Sequence, residues 1–344
     1  MSISPDIAAD LAFPVSEYYT EAERILIERI AKRLAVGIDG PLWAQQKLAA
    51  VGAFQRDTRA LLAALTPQVR ASILAAMGEA WTLGSDAAVA EMVGKIAPLS
   101  GTKAVAALAK EASTLCTSTH LRILRSSVDT YRQVVAKVSA QTLLGTLTRR
   151  ESAQSALDMF ARRGITGFVD KTGRNWQLDS YVEMAVRSTT AHAAVQAHTE
   201  SLIDNGFDLV VISNAPQECE RCRPAEGKVF SLSGDSKDHP PLSDAISKGL
   251  FHPGCRHSQS LWQPGITKAP TNTADPQGDA DRQKLRYLER QVRASKRVQA
   301  AAMDPAAARK AGVQVRERQA AIRDHVATSS AKRIPAREGI KNAR

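Results

Sequence analysis

The feature that most constrains the fold is a helical repeat of apolar residues in the first half of the chain. The first stripe comprises Tyr19, Ala22, Leu26, Ile30 and Leu34. Spacings of three and four residues place such side chains on one face of a helix. Aromatic residues make up only 5% of the chain, and abundant alanine favours helix over sheet. Residues 16–163 are therefore predicted to be all helical.

Caps and breaks predict where these helices begin and end. Residues 1–15 are expected to form a loose arm. The pair Thr66-Pro67 predicts a new helix start, because threonine caps well and proline suits the first helical position. The pair Gly84-Ser85 predicts a break. Capping boxes are predicted at Thr20 with Glu23 and at Thr148 with Glu151, the latter opening a helix that stops at Gly164.

The pattern changes after residue 163. A β-hairpin is predicted over 165–178, with its turn at 170–173, because glycine and aspartate favour tight turns. A helix from Ser180 to Asn205 follows, and then three short strands with a polar loop at 233–249. The predicted fold is mainly α with a small α+β module. The predicted segments are a helical region (1–163), an α+β Cys/His module (164–263), a linker (264–280) and a basic helical tail (281–344).

Positive charge is concentrated in the tail. The chain has a formal net charge of +11, and residues 281–344 contain 17 Lys/Arg against six Asp/Glu. Residues 1–280 are therefore neutral overall. Such a local excess is typical of a nucleic-acid partner, and equally of a solvated helical face. The candidate DNA-contacting residues share one side of a predicted helix and are Arg282, Arg286, Arg290, Arg293 and Arg297. A second helix is predicted from Asp304-Pro305 to about Ala327, and residues 328–344 are expected to be loose.

Two ligand-type pairs mark the module. Cys219 and Cys222 form one pair, His252 and Cys255 form the other, and His257 is a fifth candidate. Thiolate and imidazole pairs at this spacing are how a structural Zn²⁺ ion is usually held. Only four of the five would be needed. The alternative is that these side chains pack and hydrogen-bond in a tight loop, while a disulfide between the first pair is disfavoured in the expected cytosolic assembly.

Several classes of protein are disfavoured by the sequence. No run of 18 apolar residues suggests a membrane span, and no secretory signal is evident. No phosphate-binding loop, nucleophile elbow or HExxH motif is present. A metal-dependent nuclease or a toxin-like enzyme is the alternative function, but thiolates would close the coordination that a catalytic metal needs open. A sequence-specific regulator is disfavoured because 223–251 shows no recognition helix. A non-enzyme is therefore predicted.

Motifs across 160–300 are specific in combination. They are Gly164-Ile-Thr-Gly-Phe-Val-Asp-Lys-Thr-Gly-Arg-Asn-Trp-Gln-Leu178, Tyr181-Val-Glu-Met-Ala-Val-Arg187, Cys219-Glu-Arg-Cys222, Glu226-Gly-Lys-Val229, Gly249-Leu-Phe-His-Pro-Gly-Cys-Arg-His257 and Arg282-Gln-Lys-Leu-Arg-Tyr-Leu-Glu-Arg-Gln-Val-Arg-Ala-Ser-Lys-Arg297. Together they resemble the minor capsid proteins of tailed bacteriophages (minor capsid protein 2 type). The Cys…His-Pro-x-Cys-Arg region is similar to phage Mu F-like head morphogenesis proteins, which often have cysteine at position 257.

The resemblance implies a structural role in the virion. Such proteins are low-copy components of the phage head at the portal vertex, and they act in head assembly and in DNA packaging or delivery. The implied partners are the portal protein, the major capsid protein and packaged double-stranded DNA, with assembly in the host cytoplasm. On this interpretation residues 1–163 dock on other head proteins, and the basic tail contacts DNA through phosphates without base readout.

Overall fold

The predicted fold class is confirmed by the computed structural model, which describes residues 5–92, 101–144, 147–169, 173, 175–215, 221–271 and 275–340. The helices are α1 (Pro5–Ala35), α2 (Trp43–Ala49), α3 (Val51–Glu91), α4 (Thr102–Ser118), α5 (His120–Leu143), α6 (Arg149–Arg163), α7 (Leu178–Asp204), α8 (Leu242–Ser247), α9 (Pro276–Ala300) and α10 (Pro305–Ala327). The strands are β1 (Phe168–Val169), β2 (Asn175–Trp176), β3 (Leu209–Ile212), β4 (Val229–Ser231) and β5 (Gln259–Leu261). Of the described residues, 71% are helical.

The chain divides into two compact units whose ranges interleave. Unit 1 comprises Met1–Val15, Val69–Cys116 and Val182–Arg282. Unit 2 comprises Ser16–Gln68, Thr117–Tyr181 and Gln283–Arg344. This division differs from the four consecutive segments predicted from the sequence, because segments far apart in the chain pack together in each unit.

Unit 1 is built on a small antiparallel sheet. Its strand order is β4-β3-β5, with Val210 opposite both Phe230 and Leu261. These strands follow the predicted positions, but they are shorter. Apolar side chains from α3, α7, α8 and the sheet form one buried core, which includes Met92, Leu202, Val210, Ile212, Phe230, Leu242 and Leu261. The helix α8 lies in the predicted polar loop at 233–249.

A close approach between helices explains why the break predicted at Gly84-Ser85 is wrong. The helix α3 continues through Gly84. A Cβ atom added there would lie 2.2 Å from the backbone oxygen of Ala194 in α7. Beside this contact, the hydroxyls of Ser85 and Ser201 are 3.2 Å apart. The small residues therefore allow two backbones to meet, rather than ending a helix.

A buried polar network joins α3, α7 and β5 within unit 1. Glu91 Oε2 accepts a hydrogen bond from the Leu261 N–H at 2.7 Å and lies 3.0 Å from Nε2 of the fully buried His198. The amide Nε2 of Gln259 lies 3.2 Å from the other nitrogen of His198 and donates to Thr199. Burial raises the pKa of Glu91, but the hydrogen bonds with His198 and Leu261 outweigh it and leave this pKa lowered.

The described part of unit 2 is helical apart from the β1–β2 hairpin, which confirms the predicted hairpin in shorter form. Of the predicted turn at 170–173, all but Gly173 lies outside the described residues. The helix α5 packs against α2 and α6. The capping box of Thr148 and Glu151 is present at the start of α6, as predicted, and Gly164 ends this helix with a φ of 81°. This left-handed conformation is one that glycine adopts at little cost.

Glu23 is a buried hub of unit 2. Its Oε1 accepts from the hydroxyl and the N–H of Thr166, at 2.8 and 3.2 Å. Its Oε2 lies 3.7 Å from Nη1 of Arg297. The predicted capping box with Thr20 is therefore wrong, because Thr20 lies inside α1 and donates to the Ser16 oxygen instead. The Glu23 carboxylate contacts Thr166 and Arg297, which lie far away in the sequence, instead of capping its own helix.

Two further boundary predictions are wrong. Helix α1 already begins at Pro5, so most of the predicted loose arm is helical. Helix α3 passes through Pro67. A proline inside a helix removes one backbone hydrogen bond. Both Pro67 and Ala63, whose carbonyl loses its donor, are exposed, so that water can satisfy the oxygen.

The basic tail belongs to a packed helical layer. Helix α9 begins at Pro276, inside the predicted linker, and α10 matches the predicted second helix, with Asp304 accepting from the Ala306 and Ala307 N–H groups. Leu285, Leu288 and Val292 of α9 pack with Ile322 of α10 and with Ala331. The prediction of a loose segment after 327 is wrong for the described part, because Glu338 is buried and pairs with Arg333 at 2.5 Å.

One helix meets the length and composition of a membrane span. This is α3, in which an 18-residue window has a mean hydropathy of 1.4 and is 33% buried. A core helix of a protein that is not in a membrane passes the same test. Two residues of α3, Ile73 and Met77, are fully buried. The absence of a membrane partner stays a prediction.

Candidate functional site

Three of the five predicted metal ligands converge in unit 1. The sulfur of Cys222 lies 3.5 Å from that of Cys255, which lies 3.5 Å from Nδ1 of His257. All three ligand atoms lie within 4.8 Å of one another. The side chain of His257 is buried, and Cys222 is fully buried. The cluster is therefore a compact set of two thiols and one imidazole.

Tight turns bring these residues together. Cys222 directly precedes a 3₁₀ turn at Arg223–Ala225, and the Cys255 N–H donates to the His252 oxygen at 2.8 Å. This second turn requires Gly254, whose φ of 90° suits only glycine well. The strand β5 begins just after His257, so that the sheet fixes the end of the turn. Two short loops thus deliver the ligand atoms, and the sheet holds them in place.

Glu226 holds the imidazole of His257. Its Oε1 lies 2.6 Å from Nε2 of His257, and the two side chains are only 3% and 1% exposed. The same oxygen accepts from the Ala215 N–H at 3.3 Å. In the sequence, Glu226 stands in the motif Glu226-Gly-Lys-Val229, without an assigned role. No sequence signal could have singled it out, because the contact joins residues 31 positions apart.

The cluster shifts the pKa values of its members in opposite directions. The hydrogen bond with Cys222, assisted by His257, lowers the pKa of the Cys255 thiol to about 4, although burial acts in the other direction. Burial lowers the pKa of His257, but Cys255 and Glu226 outweigh it and leave this pKa raised. By contrast, burial raises the pKa of the Cys116 thiol to about 12. The cluster thus favours a thiolate, which is the form that binds metal.

A thiolate beside an imidazole can be a ligand pair or a nucleophile pair. The cavity beside it has a volume of about 40 Å³ and is lined by the backbones and side chains of α7 and the 251–258 turn. Since one water needs roughly 10–15 Å³ of such space, the cavity has room for about three waters. The arrangement therefore fits a structural role better than catalysis.

The remaining two predicted ligands have different outcomes. Cys219 lies outside the described residues. His252 is partly exposed, its Nδ1 lies 2.9 Å from the Pro253 oxygen, and it does not belong to the converging group among the residues that the structure describes. The ligand set that the geometry favours therefore contains His257, which the sequence ranked fifth, rather than His252.

The arginines predicted to contact DNA lie on α9, but protein groups engage most of them. Arg282 pairs with Asp279, Arg286 lies 3.1 Å from Glu289, and Arg293 donates to the Arg337 oxygen at 2.6 Å. Arg290 is exposed.

Arg297 differs most from the prediction. It is 1% exposed and donates to the Ala161 oxygen at 2.9 Å, beside Glu23. The five arginines therefore do not form one solvent-facing row, and Arg297 is corrected to an interior residue. DNA contact by the other four stays a prediction.

A second row of arginines, on α10, was missed. Arg309, Arg316 and Arg323 are exposed, and among the described residues none has a hydrogen bond or an ion pair. Their seven-residue spacing places them on one face, about 10 Å apart along the helix. The acidic Glu317 and Asp324 each follow an arginine by one residue, which turns them about 100° away. The seven-residue spacing was the signal that could have found this row.

The comparisons with known proteins agree with the predicted resemblance. The family described as Phage minor capsid protein 2 matches residues 3–327. A protein of Lactococcus phage LL-H named "Structural protein" is 26% identical over 176 residues. That match covers 47% of this chain and 47% of the relative, so the chain spans about half the length of the curated relative that it matches. No solved structure shows a significant match.

The family match extends over both units and includes the Cys/His cluster and both arginine-bearing helices. It covers nearly the whole chain rather than one motif, and it agrees with the mainly helical fold. The chain belongs to the phage minor capsid protein 2 family.

Proposed function

We propose that this protein is a non-enzymatic structural component of the phage head, located inside the head at the portal vertex, where its basic region contacts the packaged DNA. Membership of a minor capsid family supports a place in the virion. The observation that carries the DNA contact is the row of Arg309, Arg316 and Arg323, which is exposed and has no partner among the described residues.

The chemistry of this row favours phosphate contact. Three guanidinium groups on one helix face present charge at regular intervals, and arginine matches the geometry of phosphate oxygens. Sequence-specific readout would require side chains placed against base edges, usually by an element seated in a groove. The proposed contact is therefore non-specific, as packaged DNA of any sequence requires.

Exposed leucines support docking on other head proteins. Leu143 and Leu144 at the end of α5 are 88% and 76% exposed, and Leu121 at its start is 77% exposed. Large apolar side chains at helix ends are suited to contact with another protein. The portal protein is the proposed partner for this helical region, and the major capsid protein is the second.

The DNA contact is tested with two triple variants of equal charge change. One carries Arg309→Gln, Arg316→Gln and Arg323→Gln on α10. The matched control carries Lys284→Gln, Arg286→Gln and Arg290→Gln on α9. Binding to double-stranded DNA of unrelated sequence is measured across a salt series. The α10 variant is expected to weaken binding and to reduce the slope of log affinity against log salt by about 2 to 3, since each phosphate contact contributes about 0.9.

The control decides which helix carries the contact. The α9 variant is expected to change the slope by less than the α10 variant. A larger change of the slope in the α9 variant would assign the DNA contact to α9, the helix that the sequence favoured. Unchanged binding by both variants would remove DNA from the proposal.

A plasmid-nicking assay with Zn²⁺, Mg²⁺ or Mn²⁺ should show no cleavage, and cleavage lost on changing His257 would support the nuclease alternative.

A further inference from the structure

The spacing within the Cys/His cluster matches that of a tetrahedral metal site. Ligand atoms at the corners of a zinc tetrahedron are about 3.4 to 3.8 Å apart, given bonds of about 2.3 Å to sulfur and 2.0 Å to nitrogen. Both the Cys222–Cys255 sulfur separation and the separation of Cys255 Sγ from His257 Nδ1 are 3.5 Å. Two of the three separations therefore match a tetrahedron, and all three ligand atoms lie within 4.8 Å of one another.

The contact of Glu226 identifies which nitrogen of His257 faces the metal. Nε2 is engaged by Glu226 Oε1 at 2.6 Å, and this leaves Nδ1 toward the sulfur atoms. A metal-binding histidine typically donates its other ring N–H to a carboxylate, which fixes its tautomer and its orientation. The side chain of Glu226 is 3% exposed. Fixing the tautomer and the orientation of His257 explains why the Glu226 carboxylate is buried beside this imidazole.

A backbone group also points at the sulfur of Cys255. The His257 N–H lies 3.4 Å from this sulfur. Hydrogen bonds from N–H groups stabilise the charged form of their acceptor. The turn through Gly254 directs the backbone after Cys255 back toward the Cys255 side chain. This places the His257 N–H near the sulfur. The turn therefore does more than bring two residues together, since it also supports a thiolate ligand.

We propose that the module binds one Zn²⁺ ion as a closed structural site, through Cys222 Sγ, Cys255 Sγ and His257 Nδ1, with Glu226 as the positioning residue behind His257. Two thiolates and one imidazole are ligands typical of a structural zinc site, and a fourth ligand from outside these three residues completes the tetrahedron. His252 is not a ligand. This inference does not depend on the proposed location or on DNA contact.

The ligand set is tested first on the unaltered full-length protein. It is purified under reducing conditions without chelators, and its metal content and X-ray absorption fine structure are measured. The expected result is about one zinc per chain, surrounded by at least two sulfur atoms and at least one nitrogen. A shell with fewer than two sulfur atoms, or with no nitrogen, would overturn the ligand assignment. Absence of zinc together with a Cys222–Cys255 disulfide, or with free thiols, would overturn the site itself.

Variants then separate the ligands from their neighbours. His257→Ala is expected to lose the zinc, while the matched control His252→Ala keeps it. Glu226→Gln should still bind zinc, but with an affinity lowered roughly 10- to 100-fold in chelator competition. Should His257→Ala fail to fold, the absorption spectrum of the Co²⁺-substituted unaltered protein and of His252→Ala still decides the question. Identical spectra for these two support the proposal, and a changed ligand field in His252→Ala contradicts it.

Discussion

The Cys/His cluster of unit 1 and the arginine-bearing helices of unit 2 differ in how sequence spacing relates to contact. In the cluster, Cys255 and His257 are two positions apart and converge, whereas His252, three positions before Cys255 in the same turn, does not join them. On α9, regular spacing correctly places the arginines along one side. It does not indicate that Arg297 is buried against Ala161 and Glu23. Short-range spacing thus places residues in one turn or on one helix face, but it does not indicate which of them converge or what lies opposite that face.

The difference also concerns charge. Arg293 and Arg297 of α9 are partnered by protein groups from segments far away in the chain. Arg282 and Arg286 pair with acidic residues of their own helix, whereas the row on α10 has no partner among the described residues. Two helices with similar composition therefore have different roles in the structure. One uses its charges for internal packing, and the other leaves them available to a partner. Three predictions test this contrast and the scaffold that surrounds the cluster.

The largest effect is expected from removing the buried arginine. Arg297→Ala leaves the Glu23 carboxylate buried without its cation, and it also removes the hydrogen bond to Ala161. The loss of one partner of a buried pair typically costs about 3 to 5 kcal/mol. Urea denaturation of the full-length chain measures the change. Arg316→Ala on α10 is the matched control, and its effect should stay within about 0.5 kcal/mol. An equal loss in the free energy of unfolding for the two variants would contradict the contrast between α9 and α10.

A smaller effect is expected in the scaffold around the module. Gly84→Ala puts a Cβ atom 2.2 Å from the Ala194 oxygen, so α3 and α7 must move apart. Overpacking of this kind costs about 1 to 3 kcal/mol. Gly78→Ala lies in the same helix and meets nothing within 4 Å. It should be neutral or stabilise by up to about 1 kcal/mol, because alanine is the better helix former. Thermal unfolding of both variants checks this, and a tolerated Gly84→Ala would contradict the close approach.

The smallest effect concerns pH. The folded-state pKa of Glu91 is lowered, so this residue contributes stability above its unfolded pKa of about 4.3 and loses it as the pH falls through the lower folded value. Glu91→Gln should therefore destabilise the protein at neutral pH by about 1 kcal/mol, the typical net contribution of one hydrogen bond. The difference from the unaltered chain should narrow below pH about 4. Urea denaturation from pH 3 to pH 7 measures it, and a constant difference would show that the charge does not contribute.

Much of the fold follows from local sequence signals. The capping box at Thr148 and Glu151, the hairpin, the start of α10 at Asp304 and the three strands are all set by residues near one another. The wrong predictions of helix boundaries have a shared cause. Pro67 lies within α3, and Gly84 separates two backbones rather than ending a helix. In both cases the surrounding structure, rather than the local preference, determines the conformation.

The candidate site was predictable only in part. The motif spacing indicated the thiols and His257, but not the choice between His257 and His252. That choice depends on Glu226, which arrives from another loop. Likewise, the sequence showed where positive charge accumulates, but it did not show which arginines have partners. Partner groups such as the Arg337 and Ala161 backbone oxygens carry no sequence signal, because every residue has such an oxygen.

An asymmetric reconstruction of the portal vertex in the intact virion tests the central functional claim most directly. The account predicts density for both units inside the head, in contact with the portal protein, with the Arg309, Arg316 and Arg323 face of α10 directed toward the DNA. Density on the outer surface of the capsid, or α10 facing protein with no nucleic acid nearby, would contradict it.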